Sequence, residues 1–76
     1  MKANVIEINK EILGGTPVFR GTRVAIQTLF DHLETSSLEE FLAGFPSVSR
    51  EQAEAVIELA GQVITSPRFK YENFIG

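Results

Sequence analysis

A chain of 76 residues, 43% of them hydrophobic and 22% charged, has globular composition and room for one hydrophobic core. No cysteine and a single histidine exclude disulfides, thiolate metal sites and a nitrogen-rich metal cluster, so neither metal nor organic cofactor is expected. A formal net charge of -3 argues against strong nonspecific nucleic-acid binding, and no apolar run reaches the ~18 residues of a membrane span.

Val5, Ile6 and Ile8 form a short β-type run, and Pro17, Val18 and Phe19 form another. Gly14-Gly15 between them can supply the positive φ angles of a tight turn, which predicts an N-terminal β-hairpin. Gly21-Thr22 closes the second strand, and Thr22 is the expected N-cap of a first helix carrying Ile26, Leu29, Phe30 and Leu33 on one face. Ser37 and Glu40 have capping-box spacing and open a second helix, with Leu38, Phe41 and Leu42 inward and Gly44 as its stop. Ser49 and Gln52 repeat that spacing, and Val48 can pack on Ala53 as a hydrophobic staple. The third helix then keeps a stripe of Ala53, Val56, Ile57, Ala60, Val63 and Ile64. Pro67 prevents smooth continuation, so residues 1–66 are expected to form the domain and 67–76 a separate tail. The fold class predicted is mainly α: a three-helix, helix-turn-helix-like bundle behind a short hairpin.

Charge is unevenly placed. Residues 1–23 hold Lys2, Lys10, Arg20 and Arg23 against Glu7 and Glu11, whereas residues 24–66 hold Arg50 alone against Asp31 and six glutamates. An anionic partner should therefore meet the ends first.

The run from Gly14 to Val24 (GGTPVFRGTRV) and the later run from Ser37 to Ala53 (SLEEFLAGFPSVSREQA) resemble, in order and spacing, the two blocks of DUF433, a small prokaryotic family. Gly14, Gly15, Pro17, Arg20, Gly21, Thr22 and Arg23 carry the match, followed by Phe45, Pro46 and the helix after Ser49. The resemblance implies a homeodomain-like three-helix fold with a β-strand leader. Several members resemble VapB-type antitoxins encoded beside a PIN-like ribonuclease toxin, which implies an antitoxin-like role here.

Catalysis needs a base held beside a nucleophile, or two carboxylates in unlike surroundings. His32 falls at the flank of a helix's buried face, where a boundary histidine is the ordinary reading, and the glutamates fall at solvent-facing positions; a non-enzyme is expected. The glycine pairs could cradle a phosphate, but neither the P-loop lysine nor a dinucleotide fingerprint is present, and turns account for both. On the presumed recognition helix Arg50, Glu51, Glu54, Glu58 and Gln62 face outward, and three glutamates would repel a DNA backbone. Any DNA contact should then use Lys2, Lys10, Arg20 and Arg23, with a homodimeric DNA-binding regulator as the alternative function. Arg20 and Arg23 could equally pair with the acidic helices.

The tail places Arg68 and Lys70 among Phe69, Tyr71, Phe74 and Ile75, too aromatic for a segment that touches nothing; it should dock on its own core, on a second copy or in a partner's groove, with a second copy or a partner favoured. The leading expectation is a cytoplasmic antitoxin-like binding module that neutralises a PIN-like ribonuclease by direct contact. Its expected partner-binding residues are Arg20, Arg23, Arg68, Phe69, Lys70, Tyr71 and Phe74. A domain this small buries only roughly 60% of its unfolded surface, so a homodimer is also expected.

Overall fold

The computed structural model describes residues 4–68. Strand β1 (Ile6–Glu7) pairs antiparallel with β2 (Val18–Phe19), Ile6 opposite Phe19 and Glu7 opposite Val18. Their connection ends in a single 3-10 turn, Leu13–Gly15, whose residues have φ of 49°, 65° and 93°. Three consecutive residues in the left-handed region explain why two of them are glycine. Three helices follow: α1 (Ile26–Leu33), α2 (Leu38–Gly44) and α3 (Arg50–Ile64). A mainly helical domain behind a two-stranded hairpin is thus the architecture.

Both capping boxes form. The Glu40 amide donates to Ser37 Oγ at 3.1 Å while the Ser37 amide donates to Glu40 Oε1 at 2.9 Å. Ser49 and Gln52 exchange the same pair of bonds at 3.0 Å each. The start of α1 differs from expectation. Thr22 caps no helix: its hydroxyl donates to the Phe19 carbonyl and accepts from the Val24 amide, tightening the turn after β2. The chain then runs back along β2, through a bridge of Ala25 to Val18 and a bond from the Ile26 amide to the Pro17 carbonyl. Ala25 remains extended because of that pairing, and the helix begins only after it.

The core gathers Val5, Phe19, Leu29, Phe41, Val48, Ala53 and Val56, drawn from the leader, all three helices and the α2–α3 connection. Phe41 lies at its centre, with ring centroids 6.2 Å from Phe19, 4.9 Å from Phe45 and 5.7 Å from His32. Val48 and Ala53 are both buried in this cluster, as a staple requires. Across the surface, Arg50 Nη2 pairs with Glu39 Oε2 at 2.7 Å, joining the first turns of α2 and α3, and Arg50 Nη1 reaches Glu54 Oε2 at 3.5 Å. That hydrogen bond holds the Glu39 carboxyl below its ordinary range. The pair is solvated and adds little stability; what it adds is present above the ordinary carboxylate range and fades as pH falls through the lowered value.

Candidate protein-binding groove

The three helices differ in length, and this creates an uncovered face. At about 1.5 Å per residue, the 15 residues of α3 run about 22 Å, roughly twice the 8 of α1 or the 7 of α2. Its first half buries Ala53 and Val56; its last turn buries nothing, and Val63 and Ile64 are each 51% exposed. Leu59, Ala60, Val63 and Ile64 form one wall of a hollow of about 330 Å³ whose other wall is Ile6 of β1 with Ile26 and Phe30 of α1. A second hollow of about 270 Å³ continues from Ile6, Ile26 and Phe30 to Thr16, Pro17 and Gln27. Together they make one apolar groove along the side of the domain. An open apolar groove of this kind suits apolar side chains, a partner's or the chain's own.

The cations expected to bind a partner are dispersed. Arg20 is exposed, yet its guanidinium Nε donates to the Asn4 carbonyl and its Nη2 to the Ile6 carbonyl at 3.0 Å. Two carbonyls within reach of one guanidinium suit the planar fork of arginine. Arg20 therefore fastens the leader to β2 and does not pair with the acidic helices. Strand β2 ends at Phe19, and residues 20–23 turn away from it. The Arg23 side chain is exposed and makes no hydrogen bond or ion pair with another described residue. Lys10 is exposed in the turn before Leu13–Gly15, and Arg68 is exposed beyond α3. Lys2, Phe69, Lys70, Tyr71 and Phe74 lie outside the described residues.

His32 stands edge-on to Phe45 at 5.2 Å as well as to Phe41, a packing position. Gly14, Gly15 and Gly21 all have positive φ, as turns require. Among the described residues no group of three His, Asp or Glu side chains could hold a metal ion, and no helix is long and apolar enough to cross a membrane. Arg50, Glu51, Glu54, Glu58 and Gln62 are exposed or half-exposed along α3, so its outward face carries the glutamates expected there.

The pattern of the DUF433 family, described as a protein of unknown function, matches residues 6–60. The chain belongs to the DUF433 family. A crystal structure of a DUF433 member protein from Anabaena variabilis superposes with a TM-score of 0.66 at 28% sequence identity, covering 79% of this chain and 60% of that one. This DUF433 chain therefore spans less than two thirds of that protein's length. No curated protein matches it. The matched region ends at residue 60, inside α3, so the groove wall at Val63 and Ile64 lies just past the segment that defines the family.

Proposed function

We propose that this protein is a cytoplasmic binding module without catalytic activity, an antitoxin-like DUF433 member that neutralises a PIN-like ribonuclease by direct contact. The observation that carries this reading is the apolar groove between β1, α1 and the second half of α3, on a domain whose cations, Arg50 apart, stand outside its acidic middle. A metal-dependent ribonuclease site is built from carboxylates, and its inhibitor must bring positive charge together with apolar area. Of the cations expected to bind a partner, Arg23 and Arg68 have side chains outside the fold's own hydrogen bonding and Lys70 lies beyond the described residues, and the aromatic tail over the groove supplies the area. A stable contact needs roughly 800 Å² on each partner, more than one groove offers, so the tail is part of the interface. The homodimer expected from the small core is compatible with this arrangement.

The regulator reading has less support. The outward face of α3 is rich in glutamate, and Arg20 is engaged by the leader's carbonyls. If DNA were the main partner, binding would fall steeply with salt in proportion to the phosphates neutralised.

The test uses a ribonuclease encoded beside this chain, co-purified with it. Removing residues 69–76, or combining Arg68→Ala with Lys70→Ala, should weaken the complex tenfold or more, about 1.4 kcal/mol, and return ribonuclease activity. A full chain that neither binds nor inhibits such an enzyme, while shifting promoter DNA at low salt, would replace this reading with the regulator.

A further inference from the structure

The groove lies beside the point where the chain leaves its last helix. Val63 and Ile64 form its wall, and the helix stops directly after them: the Thr65 amide and hydroxyl both donate to the Gly61 carbonyl, and the Ser66 amide donates to Val63. The Arg68 amide then donates to Ser66 Oγ, completing a turn just past the helix end. Residues 69–76 follow at once, and these eight residues extend up to about 26 Å. The groove wall from Ile64 back to Val56 is about 12 Å long, so fewer than half of them would line it and the rest would reach the second hollow beside Pro17.

Chemistry matches reach. In an extended segment Phe69 and Tyr71 share one face while Arg68 and Lys70 share the other, and Phe74 and Ile75 follow. The body from residue 24 to 66 has one arginine against seven acids, with Asp31 held by Gln27 at 3.0 Å and Glu34 exposed just past the end of α1. A segment bearing Arg68 and Lys70 against Glu72 alone is drawn to such a surface.

We propose that the groove formed by Ile6, Ile26, Phe30, Leu59, Val63 and Ile64 is the seat of this chain's own residues 69–76. Phe69 and Tyr71 enter the groove, and Arg68 and Lys70 stay outward. The seat pre-arranges the tail's basic face for an acidic partner and removes part of the ordering cost that a free segment brings to binding. This use rests on the binding-module reading; the seat itself does not, and it is tested on the chain alone.

The chain contains one tyrosine and no tryptophan, so its intrinsic fluorescence reports Tyr71 directly. In the native full chain, acrylamide should quench that fluorescence several-fold less than in urea, equally at all dilutions. Val63→Lys should restore the urea-like quenching while far-UV circular dichroism keeps the helices, since Val63 is half exposed. Ile64→Lys, on the same wall and equally exposed, is the second variant. Native Tyr71 as open to acrylamide as in urea would overturn the proposal. Protection that vanishes on dilution would assign the groove to a second copy, and protection that survives both lysine variants would place the tail elsewhere; either result overturns it too. A missing ribonuclease partner would leave all of these readings unchanged.

Discussion

Phe41→Ala should cost about 3–5 kcal/mol in denaturant melts, the largest effect of any single truncation in this domain. The ring is fully buried and is shared: it stacks on Phe45, tilts against Phe19 and receives the edge of His32. Its removal leaves a cavity bounded by the strand leader, α1 and the α2–α3 connection, and no neighbouring element can collapse into it without giving up contacts elsewhere. At about 4–8 °C per kcal/mol for a domain of this size, the melting temperature should fall by more than about 12 °C. Phe41→Leu keeps most of the volume and should recover at least half of the loss. A cost below about 1 kcal/mol would mean that Phe41 does not join the helices to the leader.

Arg20→Ala is the second large effect, and it acts locally. Its side chain donates to the Asn4 and Ile6 carbonyls, while its own amide donates to Val5 at 2.8 Å. Two exposed side-chain bonds at about 1 kcal/mol each amount to about 2 kcal/mol. The loss should appear first as faster hydrogen exchange at the Arg20 amide, ahead of any change in the helices. Arg20→Lys should not rescue it fully, because one ammonium cannot present the fork that spans both carbonyls. An unchanged exchange rate in Arg20→Ala would show that water replaces these bonds without loss.

Most of the fold was legible where its cause is local. The starts of α2 and α3 follow from hydrogen bonds closed within four residues, so Ser37–Glu40 and Ser49–Gln52 announce them in the sequence alone. The start of α1 was not legible, because it is decided by the pairing of Ala25 and Ile26 with Val18 and Pro17, and Thr22 was already used by its own turn. The Arg20 contacts cross 16 and 14 positions of sequence, a distance at which no pattern of alternation is informative. The groove was hidden for a different reason. An apolar stripe looks the same whether covered or open, and Val63 and Ile64 continue the stripe of Ala53 and Val56 without a break. The usable signal was comparative: a third helix about twice as long as either neighbour must outrun its cover.

Gln52 closes the capping box of α3 with its Oε1 and, with its Nε2, donates to the Arg20 carbonyl at 3.0 Å. In an ordinary capping box glutamate and glutamine are interchangeable, since only an acceptor is needed. Here the same side chain must offer an acceptor at one end and a donor at the other, so a carboxylate would set its charge against the lone pairs of a carbonyl. The position has become chemically directional: the helix's first turn recognises the leader through an amide that can sit one way round only, and an alphabet of two residues is narrowed to one.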